Sequence, residues 1–129
     1  MKYSIDVFGD VITTGKWPKT KHGALNESIL KWEWLVKQLE GGKLEKVPWS
    51  DYDSCALCAI YLDTSELEEK WCIGCPVMQK TGKSQCENSP YYKYQDQVGG
   101  EEMKPAIRAA KAEVKFLKSL LPKQAVAKG

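Results

Sequence analysis

All five cysteines of this 129-residue chain fall between positions 55 and 86, as Cys55-x-x-Cys58, then Cys72-x-x-Cys75-Pro76, then Cys86. Two residues between cysteines is the spacing at which a tight turn aims two sulfurs at one point, and two such pairs supply the four thiolates of a tetrahedral metal site. The thirteen residues between the pairs are slightly fewer than the roughly 15–20 common in zinc ribbons, so the type of knuckle stays open. The symmetrical ligand set is Cys55, Cys58, Cys72 and Cys75, with Cys86 as an alternative ligand in place of Cys72. Zinc is the first expectation, because such sites in reducing compartments are commonly structural zinc. An iron–sulfur cluster is the rival, since Cys-x-x-Cys followed by proline also occurs in cluster-binding runs. Two disulfides or inert buried thiols would satisfy the bare count but not the clustering in pairs. A closed four-thiolate site has no position for substrate, which argues for scaffolding rather than metal catalysis. A thiol redox pair would need a strand before the Cys-x-x-Cys and a helix starting at it. Asp51 and Asp53 before the first pair and Pro76 after the second make that the lesser reading.

Other catalytic constellations fail on particular residues. Gly82-Lys83-Ser84 resembles the end of a phosphate-binding loop, but the glycine required five positions earlier is Val77. A zinc deaminase needs His-x-Glu and Pro-Cys-x-x-Cys; here Gly23 and Ala24 follow His22, and the proline comes after the pair. His22 is the one histidine, so neither a histidine-based zinc hydrolase nor a serine triad can be assembled. His22 acting on Cys86 is a weak reading beside a plain solvent-facing histidine.

The elements that must position the cysteines are read from periodicity. Residues 2–8 alternate, with Tyr3, Ile5 and Val7 on one side; Gly9-Asp10 offers a two-residue turn into Val11-Ile12-Thr13-Thr14, so a hairpin is expected, followed by a basic loop to residue 22. Leu25, Ile29, Trp32, Val36 and Leu39, widened by Leu35, line one face of a helix over 24–41 that Gly41-Gly42 ends. Leu30 and Trp34 fall on the opposite face, where a second packing surface inside the domain is preferred to a partner patch. The centre, 51–90, is expected to be irregular. It has a short strand from Ala59 to Leu62, a capped turn of helix from Ser65 to Trp71, and the aromatic run Tyr91, Tyr92 and Tyr94 just after it. Met103, Ile107, Ala110, Val114, Leu117 and Leu121 then mark a helix over 101–121, with Pro105 tolerable in its first turn. Beside that stripe runs a basic one, Lys104, Arg108, Lys111, Lys115 and Lys118; the wet face of an amphipathic helix is the plain reading, and docking to an acidic partner the functional one. Residues 123–129 form a tail.

The chain is thus expected to be a single small α+β domain: an N-terminal β-hairpin, two longer amphipathic helices and an irregular metal-knuckle centre. Nothing resembles a secretory leader or an apolar run able to cross a bilayer, so a cytoplasmic setting without membrane association is expected. Such compartments keep cysteines reduced and available to metals. The formal net charge of +2 falls to neutrality once four thiolates bind a divalent ion, because ligand thiols are deprotonated. Overall charge therefore gives no argument for nucleic acid.

The motifs Cys55-Ala-Leu-Cys58, Cys72-Ile-Gly-Cys75-Pro76-Val77, Thr81-Gly82, Cys86 and Ser89-Pro90-Tyr91, preceded by Ala24-Leu25 and Ser28-Ile29-Leu30-Lys31-Trp32-Glu33, resemble a group of small uncharacterised cysteine-rich proteins encoded by bacteriophages and prophages. The likeness covers about half of the chain and leaves out the hairpin and the basic terminal helix. It implies a bacterial host cell and a role for all five sulfurs, and it implies no activity. The resulting expectation is a non-enzymatic, zinc-stabilised phage-type accessory protein that binds a host or phage macromolecule. Its candidate surfaces are Lys104, Arg108, Lys111, Lys115, Lys118 and Tyr91, Tyr92, Tyr94, with a protein preferred to nucleic acid as partner. The alternatives are a nucleic-acid-binding zinc module and an iron–sulfur or thiol redox protein.

Overall fold

The apolar stripe at positions 25–39 builds the helix on which the rest packs. In the computed structural model, which describes residues 1–50, 55–61, 75–82 and 89–121, this is α1 (Lys21–Glu40). It buries Leu25, Ile29, Trp32, Leu35, Val36 and Leu39, as the spacing predicts, and also Ser28 and Lys31, which the spacing does not. The helix starts at Lys21 inside the expected basic loop because Thr20 caps it, its hydroxyl accepting from the Gly23 N–H at 3.0 Å. At its other end Gly41 stays right-handed and Gly42, at φ +74°, makes the left-handed turn that a side chain would strain.

The hairpin is present as β1 (Lys2–Ile5) and β2 (Val11–Thr14), antiparallel with Ile5 opposite Val11. The connection is not the expected two-residue turn but the five residues 6–10. One Asp6 carboxylate oxygen accepts from the Phe8 and Asp10 N–H groups, both at 2.9 Å, and so folds a wider loop. Val7, expected on the inner side, is instead 94% exposed at the tip. Trp34 is covered by this hairpin, its ring 5.7 Å from that of Tyr3, whose hydroxyl reaches Glu27. Leu30 stays exposed, so the second packing surface on α1 takes one of its two expected residues.

Residues 47–50 form a strap between distant parts of the chain. Val47 exchanges backbone bonds with residues 99 and 100, and Trp49 does so with residues 9 and 11. Three short helices follow: α2 (Ala56–Tyr61), α3 (Pro76–Thr81) and α4 (Pro90–Gln95). The strand expected from Ala59 is therefore corrected to helix; its Ala-Ile-Tyr run is too short for periodicity to tell the two apart, and the Ala59 N–H bonds back to the Cys55 carbonyl. The expected helical turn at 65–71 lies outside the described residues.

Proline opens both α3 and α4 at their first position, where its missing N–H costs nothing. Gly82, at φ +76°, closes α3. The last helix is α5 (Met103–Ser119), which packs against α1 and α4. It is rotated from the expected stripe. Its buried residues are Ala106, Ala109, Ala110, Glu113 and Leu117, with Ile107 and Val114 at the margin. The small alanines let α5 approach α1 closely, and that approach turns Glu113 inward.

The fold is thus small α+β, a two-stranded hairpin with five helices among the described residues. Tyr94 sits at its centre, fully buried, its ring edge-on to Trp32 at 5.0 Å and its hydroxyl donating to the Pro48 carbonyl at 2.6 Å. Tyr94→Phe leaves that buried carbonyl without its donor and should cost about 1–2 kcal/mol in urea denaturation. Unchanged stability would show that the bond contributes nothing.

Candidate thiolate site

Cys55 directly precedes α2, and the start of that helix folds the chain back over its sulfur. The Cys58 side chain and the backbone N–H groups of Leu57 and Cys58 donate to the Cys55 sulfur. Together with the Lys31 ammonium, these bonds outweigh burial and hold the thiol down at about 5, the Cys58 bond contributing most. The first Cys-x-x-Cys pair is therefore seated at the start of α2, which packs against α1.

Cys75 is buried and caps α3, which is tied to the start of α1 by Lys21 donating to the Gln79 side chain at 3.3 Å. The phenol of Tyr61, the last residue of α2, is raised first by burial and then by the charge on Cys75, so that sulfur faces the far end of α2. Cys72 and Cys86 lie outside the described residues. Among the described residues no three histidine, cysteine, aspartate or glutamate side chains gather as a metal donor group. Cys55 and Cys58 are brought together at the start of α2. The Cys55–Cys58 pair has the donor chemistry of half a tetrathiolate site, since a ligand sulfur must be deprotonated.

Behind the pair lie two charged side chains that the sequence reading passed over. Lys31 is 3% exposed, donates to the Ser50 hydroxyl at 3.0 Å and lies 5.0 Å from the Trp32 ring centroid. Glu113, on α5, is also 3% exposed, and its Oε1 has no hydrogen-bond partner, nor does the buried Ser28 hydroxyl on α1. Burial pushes the Glu113 acid up to about 8; Lys31 opposes the rise and Cys55 adds to it. A signal for both residues was present. Lys31 stands three residues after Ser28 and four before Leu35, and Glu113 three after Ala110 and four before Leu117, so each interrupts an apolar face with a charge.

The expected partner surface is only partly at the surface. Lys104, Arg108, Lys111, Lys115 and Lys118 are all exposed. Lys111 pairs with Glu40 at 3.2 Å and Lys118 with Glu33 at 3.3 Å, so two of the five charges face acids of α1. Tyr92 is 38% exposed. Tyr91 is partly buried, its hydroxyl donating to the Ser50 carbonyl at 2.6 Å and its ring edge-on to Trp32. Tyr94 is a core residue, not a surface one, and is withdrawn from the candidate partner-binding set. His22 is exposed at the start of α1.

No helix among the described residues is long and apolar enough to cross a membrane. Comparison with family models, with curated proteins and with solved structures finds no match to this chain.

Proposed function

We propose that this chain is a non-enzymatic, zinc-stabilised accessory module of phage type, acting in the reducing cytoplasm of a bacterial host and docking on an acidic protein surface. What supports the metal reading is the Cys55–Cys58 pairing, in which the Cys58 side chain and two backbone N–H groups favour the ionised form of the Cys55 sulfur. Cys55, Cys58, Cys72 and Cys75, or Cys86 in place of Cys72, would hold the ion, which contributes on the order of 10 kcal/mol of folding free energy in sites of this kind. A protein partner is favoured over nucleic acid by the short supply of unengaged groups. Lys111 and Lys118 already pair with α1, and Tyr91 and Tyr94 are held by their own hydroxyls. Of the basic stripe that leaves Lys104, Arg108 and Lys115 among the described residues, where tight binding to a nucleic-acid backbone commonly uses several more phosphate contacts.

Elemental analysis of the anaerobically purified chain tests the metal reading, with about one colourless zinc per chain as the expected result. Iron with visible absorbance would replace zinc by a cluster, and absence of both ends the metal reading. Retention on immobilised DNA or RNA at low salt, falling steeply at moderate salt, would shift the partner to nucleic acid.

One observation favours a second reading, a dithiol redox protein. A helix does start at the Cys-x-x-Cys, and the first sulfur of the pair is the acidic one. Metal-free protein that forms a reversible Cys55–Cys58 disulfide with a defined potential would support it.

A further inference from the structure

Val7 and Phe8, at the tip of the hairpin, are 94% and 86% exposed, and Trp49 on the neighbouring strap is 40% exposed. Single apolar residues scattered over a surface need no explanation, but these three line one groove, of about 550 Å³, and a contiguous apolar patch of that kind marks an interaction site. One wall of the groove is the tip, residues 6–10, and the other is residues 43–49. The tip is held rather than loose. The Asp6 carboxylate accepts from the Phe8 and Asp10 N–H groups, the Asp6 N–H donates to the Asp10 carbonyl, and Trp49 is tied by backbone bonds to residues 9 and 11. Phe8 is thereby presented in a fixed place, which lowers the ordering cost of binding through it.

We propose that this patch is a homodimer contact: the Phe8 tip of one copy enters the groove of a second copy, which returns the same contact across a two-fold axis. A two-fold interface uses the same patch on both subunits, so the patch must be complementary to itself. This one is so in shape, since it carries a projecting apolar side chain and, beside it, a groove lined by Leu44, Val47 and Trp49. It is so in charge as well. Asp6 and Asp10 lie on the tip wall, and Lys43 and Lys46 on the other, with Glu45 between them. Exchanging tips brings the acids of each copy to the lysines of the other. The same charges argue against other occupants: an anionic bilayer, or the acidic surface proposed for the α5 stripe, would meet Asp6 and Asp10 beside the residues it had to cover. The fifteen described residues that line the groove are fewer than the roughly 20–30 a side of a standard interface, so the expected dimer is weak and concentration-dependent.

Sedimentation of the full chain, with reductant present to prevent disulfide-linked dimers, should show monomer at about 1 µM and a growing dimer fraction toward about 500 µM. Phe8→Asp removes a ring that is exposed in the monomer. Its circular dichroism and melting in dilute solution should match wild type, while dimerisation weakens at least about tenfold. A charge exchange tests the two-fold arrangement itself. Asp10→Lys and Lys46→Asp, checked for folding in the same way, should each weaken self-association. An equimolar mixture of the two should recover it, because in the mixed pair both contacts again join opposite charges. Wild type that stays monomeric at about 500 µM, a dimer indifferent to Phe8→Asp, or a mixture no better than its parts overturns the proposal. So does monomeric wild type that cosediments through Phe8 with vesicles of phosphatidylcholine and phosphatidylglycerol, a result that gives the tip to a bilayer instead.

Discussion

Cys58→Ser is expected to lower the melting midpoint of the metal-loaded chain by about 15 °C or more, a loss of several kcal/mol. Cys58 donates to the Cys55 sulfur and is the second donor of the first knuckle. On the proposed metal reading its loss would open one corner of a tetrahedral centre, and serine oxygen is a poor substitute for thiolate on a soft site. An ion bound by the folded chain alone would add its affinity to the folding free energy, and a three-ligand site would return only a fraction of it. The comparison that gives the result meaning is Cys86→Ser, which should cost far less if Cys55, Cys58, Cys72 and Cys75 are the ligands. Equal losses for both variants would show that the wrong four were chosen. A chelator should abolish most of the difference between wild type and Cys58→Ser. If the difference survives metal removal, Cys58 acts through packing and its bond to Cys55, and the centre is not a metal site.

The helical frame was legible because it depends on spacing alone. Leu25, Ile29, Trp32, Leu35, Val36 and Leu39 are all buried on α1, in the places that a period of 3.6 assigns them. The hairpin was legible too, but its turn was not, since a single Asp6 side chain decides the loop width and no periodicity reports it. On α5 the largest apolar residues suggested one face and the alanines dictated another, because close approach of two helices is set by the smallest side chains between them. That rotation carried Glu113 inward and kept Ile107 and Val114 marginal. The cysteine spacing pointed to the Cys55–Cys58 pair. It did not point to Lys31 or Glu113, whose burial depends on contacts between segments far apart in sequence. Tyr94 shows the opposite error. A tyrosine in a polar aromatic run suggests an exposed stacking ring, but Pro48 supplies a carbonyl that lets the hydroxyl go inside.

Glu113 makes stability depend on pH in a direction opposite to that of most carboxylates. The acid rises from 4.5 to about 8 in the folded chain, chiefly through burial, with Cys55 adding and Lys31 opposing. A raised folded value means that the native state keeps a proton which the unfolded chain has already released. The contribution is therefore fully present below the unfolded value and is withdrawn as pH rises through the folded one. Across that window wild type should lose about 1.4 kcal/mol per pH unit from this group, on the order of 4 kcal/mol by pH 8. Glu113→Gln keeps the shape and has no proton to lose, so its stability should lack that fall and gain on wild type steadily toward the alkaline end. Urea denaturation of both metal-free, reduced chains at pH 5, 6.5 and 8 makes the comparison, and the cysteine titration is largely common to the two and cancels in their difference. Parallel pH dependences would mean that Glu113 is ionised in the folded chain at neutral pH. Its carboxylate would then be balanced by the Lys31 ammonium, which already opposes the rise.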